Sequence, residues 1–140
     1  MPLFKWTNAH SVFLPEIDAQ HRNLFRMGDE LHRAILGGAD LSRKLELLRA
    51  LIAAAEDHFS YEEDLMRSFD YSSYAWHKGQ HDTVRKRINQ FVPQIENGDS
   101  ESAMLLLEFI SDWFKDHTGL TDRMLGAYLR NQYRFQARAS

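Results

Sequence analysis

Apolar positions recur along this chain at helical spacing. From about Asp18 to Leu36, residues His21, Leu24, Phe25, Gly28, Leu31 and Ile35 fall on one face, with polar residues between them. Gly37-Gly38 ends this segment, because glycine accepts the left-handed backbone that closes a helix. Asp40 is placed to cap a second helix that runs to about Phe69. Its inward stripe is Leu47, Leu48, Leu51, Ala54, Ala55, His58, Glu62 and Leu65. A turn follows at Asp70-Tyr71-Ser72-Ser73, where either serine can cap a third helix carrying His77, His81, Val84, Ile88, Phe91 and Ile95 on one face. Pro93 predicts a kinked or weakened last turn there, since it lacks a backbone donor. Asn97-Gly98-Asp99-Ser100 reads as turn and cap. A fourth helix then runs from about Glu101 to Leu129, with Leu106, Ile110, Trp113, Phe114, His117 and Leu120 facing inward.

No segment reads as a strand. Short connections between long helices favour antiparallel neighbours, so the expected fold is all-α: an antiparallel up-down-up-down four-helix bundle. Residues 1–17 form an irregular N-terminal arm, tied down by Trp6, Phe13, Leu14 and Ile17. Residues 18–129 form the bundle, and residues 130–140 a polar, basic tail prone to fray. A chain of 140 residues is most simply one domain.

Composition narrows the chemistry. There is no cysteine, which excludes thiolate catalysis, iron–sulfur clusters and cysteine-ligated zinc. The net charge of −3 indicates neither a nucleic-acid partner nor a strongly membrane-seeking surface. No apolar run approaches the ~20 residues of a membrane span. The start, Met1-Pro2-Leu3-Phe4-Lys5-Trp6, lacks the apolar core of a signal peptide, so cytoplasmic residence is expected.

The histidines carry the functional signal. His58 precedes Glu62 by four residues and His77 precedes His81 by four, and residues four apart share a helix face. With His21, His117 and Asp122, four helical stretches offer five imidazoles and two carboxylates. That set can hold two metal ions side by side with the carboxylates between them. Glu62 lies in an otherwise apolar stripe, and a buried carboxylate without a counter-charge costs several kcal/mol. A cation supplies the missing charge, and imidazole with carboxylate suits iron, zinc or copper better than calcium or magnesium. His117 and Asp122 fit less simply. Five residues leave them ~140° apart on a regular helix. Either they approach from opposite flanks, or the helix is distorted between them, which Gly119 permits.

Four strings, IDAQHRNLF from Ile17, HFSYEEDLM from His58, HKGQH from His77 and HTGLTD from His117, stand in order along the chain. With the Trp6 arm and the DWF run before His117, they make the chain resemble the hemerythrins, and more closely the single-domain bacterial hemerythrins. The resemblance spans nearly the whole chain. It implies a non-haem diiron centre with an oxo or hydroxo bridge, and dioxygen as the ligand. One iron would take His77, His81 and His117. The other would take His21 and His58, with Glu62 and Asp122 bridging and one position left open for dioxygen. It implies reversible dioxygen binding for storage, delivery or sensing, and no catalytic residues. Two positions depart from the family pattern: Thr118 stands where isoleucine is common, and Phe114 where leucine is frequent. Both are candidates for the wall of the dioxygen pocket, and they bear on the lifetime of the oxygenated form.

Other readings stand beside this one. A diiron oxidase or peroxidase, or a nitric-oxide-handling enzyme, would consume its substrate with reductant, whereas a carrier releases dioxygen unchanged. A sensing module would be joined to an output domain, with Arg130, Arg134 and Arg138 in a linker. The partners expected are dioxygen and an unidentified protein recipient of it, with the chain a monomer or weak oligomer. His10 and His32 read as structural or surface histidines. Glu63, Asp57 and Asp64 read as a solvated face beside the ligands.

Overall fold

The computed structural model describes residues 3–139, so Met1, Pro2 and Ser140 of the expected arm and tail lie outside the described residues. Helix α1 spans Pro15–Leu36, α2 Leu41–Ser68, α3 Tyr74–Glu96, α4 Ser100–Asp116 and α5 Asp122–Ala139. A π-helical turn, His117–Thr121, joins α4 to α5 into one long fourth rod. No strand occurs among the described residues. Neighbouring rods contact in sequence, and α1 also meets α4, which closes the four-helix bundle.

The local signals act where they stand. Asp40 accepts from the Arg43 amide at 2.9 Å and so caps α2. Asp99 accepts from the amides of Glu101 and Ser102 and caps α4. Gly38 turns the chain out of α1 at φ 74°. Ser73 occupies the cap position of α3, but its side chain makes no capping bond. Pro93 stays inside α3, which continues to Glu96 despite the lost backbone donor.

Several expected boundaries shift. α1 begins at Pro15 rather than Asp18, with proline at a first-turn position where its missing N–H costs nothing. α5 runs to Ala139, so residues 130–139 continue the helix and are not an irregular tail. The side chain of Arg138 lies outside the described residues. In the arm, Phe13 is 63% exposed and does not tie the segment down. Phe4 and Val12 are buried instead, and Trp6 packs edge-on against Phe25 at 5.7 Å. Leu120, expected inward, is 60% exposed. The wide turn at 117–121 rotates it outward and brings Thr121 in.

Two apolar clusters fill the bundle. The larger includes Leu24, Phe25, Phe59, Val84, Ile110 and Phe114. The smaller comprises Val12, Ile17, Met66, Tyr71, Leu125 and Leu129. On every rod a candidate ligand falls between the two. His21 lies between Ile17 and Leu24, Glu62 between Phe59 and Met66, His77 between Tyr71 and Val84, and Asp122 between Phe114 and Leu125. The polar layer is thus sealed by hydrocarbon above and below.

Candidate metal centre

The structure brings all seven expected ligands together in that layer. His21 comes from α1, His58 and Glu62 from α2, His77 and His81 from α3, His117 from the π turn and Asp122 from the start of α5. All are buried, with Glu62 and Asp122 at 0% exposure. The π turn resolves the awkward spacing. The Asp122 amide donates to the His117 carbonyl five residues back, so the turn holds one residue more than an α-turn. The two side chains then meet at 2.9 Å, Nε2 to Oδ1.

The ligand atoms sort into two groups. Glu62, His77, His81, His117 and Asp122 form one, and His21, His58, Glu62 and Asp122 the other, each with its atoms within 4.8 Å of one another. Both carboxylates belong to both groups. His77 Nε2 stands 3.0 Å from Asp122 Oδ1 and 3.6 Å from Glu62 Oε1. His81 Nε2 is 3.2 Å from Glu62 Oε1, His58 Nε2 3.3 Å from the same oxygen, and His21 Nε2 3.1 Å from Asp122 Oδ2.

His21 Nε2 and His58 Nε2 lie in hydrogen-bond contact at 2.9 Å, but most of these atoms converge without hydrogen-bonding. All four oxygens of Glu62 and Asp122, and Nε2 of His77, His81 and His117, are buried with no hydrogen-bond partner. Buried polar atoms are almost always satisfied, so such a concentration needs an explanation. The outer nitrogens supply it. His58 Nδ1–H donates to Gln20 Oε1 at 2.5 Å, and His117 Nδ1–H to Gln80 Oε1 at 2.8 Å. Gln80 also accepts from Thr121 Oγ1 at 2.8 Å, which fixes its amide. His81 Nδ1–H donates to Glu63 Oε2 at 2.8 Å. In each ring the proton is held outward, which leaves the Nε2 lone pair pointing into the cluster, the tautomer a metal requires. The residues present therefore fit a pair of cations.

Without cations, protons take their place. Burial pushes both carboxyls up, and Asp122 adds to this at Glu62, yet the adjacent imidazoles outweigh it and hold both well below the ordinary range. Burial lowers His77, but the negative charges of Asp122 and Glu62 beside it outweigh this and lift the ring to about 9. His21 is raised in the same way by Asp122, whereas burial wins at His117 and lowers it.

A family model described as Hemerythrin HHE cation binding domain matches residues 12–129. This chain belongs to the hemerythrin family. It is 32% identical to a bacteriohemerythrin of Aquifex aeolicus over 108 residues, covering 76% of this chain and 82% of that one. It is 29% identical to a bacteriohemerythrin of Clostridium acetobutylicum over 125 residues, 86% of this chain and 97% of the relative. A myohemerythrin of Theromyzon tessulatum shares 25% identity over 119 residues, 85% of this chain and 88% of the relative.

The remaining candidates lie beside the cluster. Phe114 is 1% exposed and packs edge-on against Phe25 at 6.1 Å. Thr118 is fully buried, and its hydroxyl donates to the Phe114 carbonyl at 2.6 Å. One residue read as solvent-facing proves otherwise: Glu63 is 6% exposed and bonded to His81. Asp57 and Asp64 are exposed as expected. Gln20, Gln80 and Glu63 each adjoin a ligand in sequence but serve a ligand on another helix, or in the π turn. No spacing along one helix signals such a role.

Proposed function

We propose that His77, His81 and His117 hold one iron ion, that His21 and His58 hold the other, and that Glu62 and Asp122 join them. The chain binds dioxygen at this non-haem diiron centre. It is a dioxygen-binding protein rather than an enzyme. One observation carries the assignment: two ligand groups share two fully buried carboxylates whose oxygens have no hydrogen-bond partner. The iron pair supplies the electrons and the open coordination position that dioxygen binding needs.

The protein supplies the rest. Gln20, Glu63 and Gln80 hold three imidazoles in the metal-binding tautomer. The apolar clusters on both sides keep water from the layer, which favours release of dioxygen unchanged over loss of the oxygenated form. Phe114 and Thr118 form part of the dioxygen pocket wall in this reading. Storage, delivery or sensing of dioxygen, cytoplasmic residence and a monomeric or weakly oligomeric state belong to the same proposal. Cell fractionation and sedimentation test the last two. Among the described residues, no helix is long and apolar enough to cross a membrane.

The test is anaerobic reduction followed by exposure to air, with visible absorption and iron content recorded together. A charge-transfer band that appears in air and disappears under vacuum, at two irons per chain, supports the reading. Sustained dioxygen consumption in the presence of reductant refutes it in favour of an oxidase.

A further inference from the structure

The five candidate imidazoles do not have equivalent surroundings. His58 and His117 meet neutral amide oxygens, of Gln20 and Gln80. His21 Nδ1 and His77 Nδ1 have no hydrogen-bond partner. His81 alone among them, within the described residues, gives its outer proton to a carboxylate, that of Glu63.

That carboxylate is buried and held by a guanidinium. Arg85 Nη1 lies 2.8 Å from Glu63 Oε2, and Nη2 lies 3.4 Å from Oε1, a forked contact. Arg85 is itself fixed by Glu56 through Nε and Nη2, both at 2.9 Å, and by Asp82 at 2.9 Å. Its guanidinium sits 5.4 Å over the Phe59 ring, and Phe59 stacks on His81 at 4.2 Å with 16° between planes. Charge, hydrogen bond and ring stacking thus converge on one imidazole.

Orientation alone does not call for this arrangement. Gln20 and Gln80 orient their rings with neutral oxygens. A buried carboxylate carries a desolvation cost that a glutamine avoids, and it requires Arg85 as counter-charge. The negative charge must therefore do something an amide cannot.

We propose that Glu63 is a positioning residue that sets the electron balance of the diiron centre through His81, with Arg85 holding its carboxylate in place. This rests on His81 being an iron ligand. A carboxylate accepting the Nδ1 proton makes the imidazole a stronger donor at Nε2, which favours ferric over ferrous iron. The three-histidine side of the pair is thereby more easily oxidised than the two-histidine side, whose outer contacts are an amide and none. This charged contact, the one such among the described residues, biases both the oxidation of the centre and its return to the ferrous state.

Glu63→Gln separates charge from geometry, because it keeps an acceptor oxygen for His81 and removes the charge. The measurement is the midpoint potential of the iron-loaded protein by anaerobic spectroelectrochemistry, with iron counted and the metal-free protein melted in parallel. The expected result is two irons per chain retained and a potential raised by about 59 mV or more, a tenfold shift for one electron. Glu63→Ala removes the acceptor as well and should weaken metal binding about 10–100-fold. Gln20→Glu gives the converse test at His58, a half-buried position, and should lower the potential. An unchanged potential in Glu63→Gln with both irons retained would reduce Glu63 to a structural clamp between α2 and α3. Loss of iron from Glu63→Gln equal to that from Glu63→Ala, or no shift in Gln20→Glu, would equally overturn the proposal. Failure of the parent chain to hold two irons would instead bring down the ligand assignment, and the proposal with it.

Discussion

Two glycine-to-alanine substitutions should move stability in opposite directions. At Gly126 on α5, an added Cβ would lie 2.7 Å from the Val12 carbonyl oxygen and 3.1 Å from Val12 Cβ. The obstacle is backbone, and it is pinned. The Val12 amide donates to Asp18 Oδ1 at 2.8 Å, Arg130 donates to the Val12 carbonyl, and Ser11 Oγ donates to Asp18 Oδ2 at 2.6 Å. Lifting the arm away would expose Val12, now fully buried, at about 1.5–3 kcal/mol. It would also break these three hydrogen bonds, of about 0.5–1.5 kcal/mol each. A small local shift is cheaper, in the range of about 1–3 kcal/mol found for overpacking. Alanine returns about 0.8–1.0 kcal/mol of helix propensity. Gly126→Ala should therefore lose up to about 2 kcal/mol, which in a chain of this size lowers Tm by up to roughly 8 °C.

Gly79→Ala is the control. It lies in α3, and an added Cβ there meets nothing within 4 Å. It should gain about 0.8–1.0 kcal/mol from propensity alone. Denaturant titration of both variants and the parent, all iron-loaded, decides the matter. The arm also carries Trp6 and His10, which pack edge-on against Phe25 and cover the larger cluster, so Gly126→Ala should shorten the lifetime of the oxygenated form as water enters. If Gly126→Ala stabilises as much as Gly79→Ala, the close approach of arm to helix is not as described and the reasoning fails.

Replacing Glu62 or Asp122 with alanine should lower iron content and thermal stability together, by up to about 4 kcal/mol at a thousandfold metal excess over Kd, because metals bind only the folded chain. Unchanged iron stoichiometry in both variants would exclude a joining role for them. Thr118→Ile should lengthen the oxygenated lifetime, since it removes the hydroxyl that stands 3.5 Å from His10 Nδ1 and links the arm to the buried layer; an equal or shorter lifetime in air argues against that link. The metal-free protein should lose stability with rising pH. His77, raised to about 9, contributes fully below its unfolded value of 6.5 and loses that contribution as pH climbs through about 9. Chemical denaturation of chelated protein from pH 6 to pH 10 measures this, and a flat or rising curve contradicts it.

The chain alone determined the helical class, most element ends and the pairing of candidate ligands on α2 and on α3, for reasons that are local or periodic. Asp40 and Gly38 act on the backbone beside them. The four-residue spacings of His58 with Glu62 and of His77 with His81 place each pair on one face whatever surrounds the helix. His21, which has no such partner in its own helix, was legible only through resemblance to a family. What lies between helices was not legible. Whether His117 and Asp122 approach from two flanks or share a face depended on an i to i+5 bond, and that bond forms when the fourth rod must present both side chains to one layer while Leu120 turns out. The arm is held by Val12 rather than Phe13 because the space beside Gly126 exists only once α1 and α5 are packed. Glu63 reads as a surface acid in a run of acids, yet it is buried, because α3 brings His81 and Arg85 against it. Periodicity along one helix gives the direction of a side chain; the rotation and register of the neighbouring helix decide what that side chain meets.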